Sequence, residues 1–187
     1  MILYIYEGKE HREAEAESLV RNALELYIEQ NGIRMEYSLA TQDVILRGAH
    51  GKPYFASLPF SFSVSHTGDL WCCLIADQSD GPVGLDIQKI KDVKAYEIGR
   101  RFFTKEEVAY IETHQGSSFF DIWVRKEAYV KYTGLGISSG LDTFSVVKDG
   151  MLRDTIEAVF FKEIEIRENV KCAVCTEIKG EIWTKTV

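Results

Sequence analysis

Val83-Gly84-Leu85-Asp86-Ile87-Gln88 is an apolar run with an acid set inside it. Side chains alternate across a strand, so Asp86 and Gln88 share one face while Leu85 and Ile87 share the other. A carboxylate in such surroundings is costly unless it is paired or binds a metal, and this segment alone leaves a functional and a structural role both open. Gly84, just before it, permits another backbone to come close. The second decisive stretch is Trp123-x-x-Lys126-Glu127-x-x-x-Lys131, whose four-residue spacing puts Trp123, Glu127 and Lys131 on one face of a helix. Taken alone, it reads more readily as an exposed Glu-to-Lys pair contributing about 0.3–0.5 kcal/mol.

Working outward from these two segments, residues 2–6 are strand-like, and Ala16, Leu19, Val20, Ala23, Leu24 and Tyr27 repeat with helical period until Asn31-Gly32. Short strands are expected at 33–39, 60–65, 70–76 and 83–87, with Thr67-Gly68-Asp69 as a turn. Thr104 with Glu107 forms a capping-box pair, and Ser118 with Asp121 offers another ahead of Trp123, so two consecutive helices are expected. Strands follow at 144–147, 158–161 and 172–178, with turns at Asp149-Gly150 and Lys179-Gly180. The pattern predicts an α+β fold in two halves, 1–92 and 93–187, joined near the polar stretch 89–94 and packed as one compact unit.

The chain has 187 residues, enough to bury about 70% of its unfolded surface in a true core. Its formal charge of -7 argues against a general nucleic-acid binder, which needs a basic footprint. Any anionic ligand must therefore meet a local basic patch. The apolar start is cut off by Glu7, Lys9 and Glu10, and no later run approaches membrane-spanning length, so a cytoplasmic location with no membrane partner is expected. Of the four cysteines, Cys172-x-x-Cys175 has a metal-like spacing. It lies in a strand pattern, however, where residues three apart face opposite ways, and buried thiols are the better reading.

Ser65-His66-Thr67-Gly68 ends a strand with donors suited to phosphate oxygens, although ordinary hairpin chemistry accounts for it equally well. Gly51-Lys52-Pro53 carries a lysine at a turn tip, and Arg12 opens the first helix beside His11. Gly134-Leu135-Gly136 reads as a helix stop and lacks the setting of a dinucleotide loop.

In this order, Gly51-Lys52-Pro53, Ser65-His66-Thr67-Gly68, Gly84-Leu85-Asp86-Ile87, Arg101-Phe102-Phe103 and Trp123-x-x-Lys126-Glu127-Ala128-x-x-Lys131 resemble the 4'-phosphopantetheinyl transferases of the surfactin-synthetase-activating type. The resemblance implies a pseudo-twofold, single-chain fold with the active site between its halves. It also implies transfer of the phosphopantetheine arm of coenzyme A to a serine of an apo acyl, polyketide or peptidyl carrier protein, with release of adenosine 3',5'-bisphosphate. By motif match, Asp86, Gln88 and Glu127 would hold Mg²⁺, and Glu127, Lys131, His66 and Asp86 would carry catalysis. Arg12, Gly51, Lys52, Pro53, Ser65, His66, Thr67 and Lys131 would bind coenzyme A.

Two departures from the family pattern stand out. Gln88 occupies a position where the family commonly has a second strand carboxylate, and the chain before His11-Arg12 is short, so weaker binding of the nucleotide's 3'-phosphate end is expected. A monomer is expected, docking an acidic carrier through Arg100, Arg101, Lys105 and Lys126 with Phe102 and Phe103.

Overall fold

The computed structural model describes residues 1–8, 13–35, 43–136 and 140–187. In chain order these carry β1 (Ile2–Tyr6), α1 (Glu13–Gln30), β2 (Ile45–Arg47), β3 (Pro53–Phe55), β4 (Phe60–Thr67), β5 (Leu70–Asp77) and β6 (Val83–Lys89). Three helices follow, α2 (Ala95–Phe102), α3 (Lys105–Thr113) and α4 (Phe119–Thr133). The rest is β7 (Val147–Lys148), β8 (Met151–Leu152), β9 (Thr155–Ile156), β10 (Val159–Glu163), β11 (Val170–Thr176) and β12 (Trp183–Thr186). The class is α+β, as the sequence pattern predicts. Among the described residues no helix is long and apolar enough to cross a membrane.

Alternation along the strands builds the layers. In the sheet β12-β1-β5-β4, Tyr4, Tyr6, Trp71 and Ile75 pack with Val20, Leu24 and Tyr27 of α1, while Leu3, Ile5, Cys72 and Leu74 point the other way. That second face meets Leu85, Ile87, Cys172 and Val174 of the sheet β6-β11-β10-β9. The opposite face of β11, with Ala173 and Cys175, packs with Ile122, Val124 and Ala128 of α4. The order is helix, sheet, sheet, helix. Cys172 and Cys175 fall in different cores, as the strand reading requires, and all four thiols are buried and free.

Strands on either side of residue 92 are shared between the two sheets. β6 pairs antiparallel with β11, and β12 lies parallel to β1 with Ile2 opposite Trp183. The sheets are joined along β4 and β6 by side chains. Ser63 Oγ accepts from Leu85 N at 3.0 Å, Ser65 Oγ from Ile87 N at 3.1 Å and Thr67 Oγ1 from Lys89 N at 3.0 Å.

Helix α4 lies directly on β6 at Gly84. A Cβ there would stand 2.0 Å from the Ala128 carbonyl oxygen and 2.6 Å from the Tyr132 nitrogen, both of them backbone. Lys126 fixes the helix from its other side. Its Nζ is fully buried and donates to Glu107 Oε1 and to the Phe144 carbonyl, both at 2.7 Å, with the Phe144 ring 4.2 Å away. Glu107 also accepts from Val146 N and completes the expected capping box with Thr104. The helix ends at Gly134, left-handed at φ 70°, which confirms the stop.

Several expectations are corrected. Ser118 precedes α4 but makes no side-chain cap, because its backbone is not in the extended conformation that a capping hydroxyl needs, and its buried hydroxyl has no hydrogen-bond partner among the described residues. The strand expected at 144–147 begins only at Val147, since the Phe144 carbonyl is engaged by Lys126 rather than by a neighbouring strand. Residues 33–35 are not strand, and 36–39 lie outside the described residues. Residue 89 of the expected linker still belongs to β6, and helix α2 was not foreseen. Lys126 and Phe103 are buried, so neither belongs to a docking surface.

Two substitutions test this frame. Gly84→Ala is expected to cost about 3 kcal/mol, because backbone cannot step aside as a flexible side chain does. Ser63→Ala is expected to cost about 1–3 kcal/mol by leaving the Leu85 N–H unpaired. Urea unfolding reads both, and wild-type midpoints would mean that α4 and the sheet seam are not packed as described.

Candidate active site

A cleft of about 560 Å³ opens where β4, β6 and α4 meet, and Ser65, His66, Asp86, Gln88, Glu127 and Lys131 all line it. The strand alternation read from the sequence holds: Leu85 and Ile87 belong to the inter-sheet core, and Asp86 with Gln88 reaches the cleft. Trp123, Glu127 and Lys131 line it together, as their helical spacing predicts. The short β2–β3 hairpin supplies Ile45, Arg47 and Pro53, and α1 contributes Glu17.

Asp86 is the hub. Its Oδ1 accepts from Ser65 Oγ at 2.8 Å and from Lys131 Nζ at 2.7 Å. Ser65 Oγ in turn accepts from Ile87 N at 3.1 Å and from Lys131 Nζ at 3.1 Å. A hydroxyl has one proton and two lone pairs, so Ser65 is fully engaged, with its proton directed at Asp86. The other carboxylate oxygens differ. Asp86 Oδ2 and Glu127 Oε1 are buried and have no hydrogen-bond partner among the described residues. Burial raises the Glu127 pKa above the ordinary carboxylate value, the negative charge of Asp86 adds to this, and Lys131 opposes it.

An unpartnered buried acceptor costs free energy, and two carboxylates in that condition lining one cleft suit a hard cation. Among the described residues no group of three or more His, Cys, Asp or Glu side chains is arranged to hold a metal, so the set here is two carboxylates with the neutral amide of Gln88 on the Asp86 face. Magnesium is commonly held by one or two carboxylates together with substrate phosphates, and this donor set fits that pattern.

Other sequence candidates lie elsewhere. Thr67 is engaged at the seam with Lys89 N and does not line the cleft. Gly51 and Lys52 line a neighbouring recess of about 250 Å³, which shares Pro53, Val64 and Lys131 with the cleft. There Lys52 Nζ donates to the carbonyls of Val83 and Tyr132, each at 3.1 Å, tying the hairpin to β6 and to the end of α4. Burial lowers its pKa to about 8. Arg12 lies outside the described residues. Arg47 and Glu17 went unnoticed in the sequence: β2 is three residues long, too short for alternation to mark a cleft-facing side chain.

Residues 82–175 match the family model of the 4'-phosphopantetheinyl transferase superfamily, and this segment holds Asp86, Gln88, Glu127 and Lys131. The chain is 34% identical over 155 residues to the 4'-phosphopantetheinyl transferase Sfp of Bacillus subtilis (strain 168), covering 76% of this chain and 67% of that protein. It is 37% identical over 115 residues to the 4'-phosphopantetheinyl transferase psf-1 of Bacillus pumilus, covering 58% and 48%. Similarity to the 4'-phosphopantetheinyl transferase AcpT of Escherichia coli (strain K12) is 34% over 106 residues, covering 54% and 53%. The chain thus spans roughly half to two thirds of the length of these relatives.

The raised Glu127 pKa predicts a pH dependence. A carboxyl whose folded pKa lies above its unfolded value contributes stability that is complete below about 4.5 and lost as pH rises through the folded value. Glu127→Gln stays neutral throughout, so urea unfolding should show it gaining on wild type as pH rises above 4.5 through the folded value. A variant that instead loses ground over that range would mean that the ionised carboxylate is favourably paired.

Proposed function

Because the chain belongs to the 4'-phosphopantetheinyl transferase superfamily, we propose that it transfers the 4'-phosphopantetheine arm of coenzyme A to a serine hydroxyl of an apo carrier protein. The carrier is an acyl, polyketide or peptidyl carrier, adenosine 3',5'-bisphosphate is released, and Mg²⁺ is required. The observation that carries this reading is the pair of buried carboxylate oxygens, Asp86 Oδ2 and Glu127 Oε1, that have no partner among the described residues, in a cleft where the Lys131 ammonium holds Asp86 by its other oxygen. Cleaving a pyrophosphate calls for charge neutralisation and positioning more than for covalent chemistry, and these are the resources the cleft offers.

Asp86, Glu127 and Gln88 would hold the magnesium, which when bound neutralises pyrophosphate charge as the leaving group departs. Ser65 acts through Asp86: by donating to Oδ1, it helps fix a carboxylate whose Oδ2 would be available to a cation. Lys131, already beside Asp86, meets the phosphate oxygens and neutralises the charge that develops on the leaving group. Glu127, its basicity increased by burial, accepts the proton of the attacking serine. His66 is an exposed donor on the cleft wall. Gly51, Lys52, Pro53 and Arg12 belong to the nucleotide end, with Lys52 and Thr67 contributing through the segments they anchor. The protein works as a cytoplasmic monomer whose halves, 1–92 and 93–187, are related by a pseudo-twofold with the cleft between them.

Purified protein given Mg²⁺, coenzyme A and a panel of apo carrier proteins should add the mass of the phosphopantetheine arm to at least one carrier serine. Lys131→Ala should lower kcat by about 10²–10³ while the circular dichroism spectrum is unchanged. Intact-mass spectrometry decides the matter: carriers that all stay unmodified would end the transferase reading, as would coenzyme A hydrolysis in the absence of any carrier.

A further inference from the structure

The strand that carries Asp86 and the helix that carries Lys131 come together at Gly84, where a Cβ would stand 2.6 Å from Tyr132 N. Lys52 Nζ bridges the two elements at that point. It donates to the carbonyl of Val83, next to Gly84, and to the carbonyl of Tyr132, next to Lys131, each at 3.1 Å. The Tyr132 carbonyl lies in the last turn of α4, where carbonyls lack a partner within the helix and a positive charge is favoured. The Val83 carbonyl lies on the edge of β6 whose N–H groups, at Leu85, Ile87 and Lys89, meet the hydroxyls of β4. Lys52 is thus the fourth side chain to close that edge, and the one that also holds α4.

Two of the three ammonium protons are therefore committed to main chain. The aliphatic stem packs on the helix stop, since a Cβ at Gly134 would lie 3.5 Å from Lys52 Cδ. Among the described residues the titratable groups sharing the recess are His50 and Lys131, both basic, and no carboxylate pairs with Lys52. The charge is spent on the ends of peptide dipoles. Resting on the function proposed above, we infer that Lys52 is a positioning residue for the transfer, which fixes the last turn of α4 against β6 and so holds Lys131 at Asp86.

A double-mutant cycle between Lys52→Met, which keeps the stem and removes the donors, and Lys131→Ala tests this. In the wild-type background Lys52→Met should lower kcat about tenfold or more, because a small misplacement of a charged group is costly. In the Lys131→Ala background it should cost less than about twofold, because groups that act as one unit are not additive. Equal losses in both backgrounds would make Lys52 an independent contact to the substrate and overturn the inference, as would a kcat that Lys52→Met leaves unchanged. Amide hydrogen exchange gives a reading that needs no turnover. The Gly134 N–H, bonded to the Val130 carbonyl at 2.9 Å, should exchange about tenfold faster or more in Lys52→Met, and unchanged exchange there also overturns the inference. Should Lys52→Met fail to fold, Lys52→Gln, whose shorter side chain falls away from both carbonyls, replaces it in both measurements. Wild-type protein that modifies no carrier would end the transferase reading alone, with the hold on α4 still decided by the exchange of Gly134.

Discussion

Three hydroxyls hold the two sheets in register, and the site depends on that register. Ser63, Ser65 and Thr67 occupy every second position of β4 and take the N–H groups of every second position of β6. An exposed strand edge presents unsatisfied donors, and here side chains take the place that a neighbouring strand's carbonyls would fill. A slip of one residue would turn Leu85 and Ile87 into the cleft and drive Asp86 into the apolar layer between the sheets. The same interaction that joins the sheets thus decides which face of β6 carries the acid. Ser65 belongs to both arrangements, since its oxygen serves the seam and its proton serves Asp86.

Close backbone packing does the rest. Without a side chain at Gly84, α4 comes near enough to β6 that a carboxylate on the helix and one on the strand share a buried environment, where loss of water and then the negative charge of Asp86 raise the pKa of Glu127. Left without a cation, such a pair detracts from stability, which is common where a fold retains groups for chemistry rather than for packing. With Gln88 in place of a third acid, the cleft supplies less negative charge of its own, so any divalent ion held there would depend more heavily on oxygens from a ligand.

Much of this was legible in the sequence because it is periodic. The alternation at 83–88 placed Asp86 and Gln88, the four-residue spacing placed Trp123, Glu127 and Lys131, and strand alternation separated Cys172 from Cys175. Local chemistry was readable where a motif closes on itself, as in the Thr104–Glu107 capping box. What escaped depends on partners distant along the chain. Lys126 reads as a surface lysine until Glu107 and the Phe144 carbonyl are brought around it, and Ser65 reads as a phosphate donor until Asp86 takes its proton. Ser118 has the composition of a cap without the backbone geometry. Arg47 sits in a strand too short to show a period, and the pairing of β1 with β12 has no local signature at all.

That last pairing bears on how the molecule folds. β1 lies between β5 and β12, strands separated in sequence by more than a hundred residues, and β6 finds its sheet neighbour in β11. Loop closure over such distances must precede much of the reward from burial, which slows folding relative to helical proteins of similar size. A nascent chain that has emerged only as far as α4 would hold β6 without its partner strand and β1 with one edge unpaired. Such an intermediate presents apolar strand edges to its surroundings, making the period before β11 and β12 arrive the one most exposed to misassociation and chaperone capture.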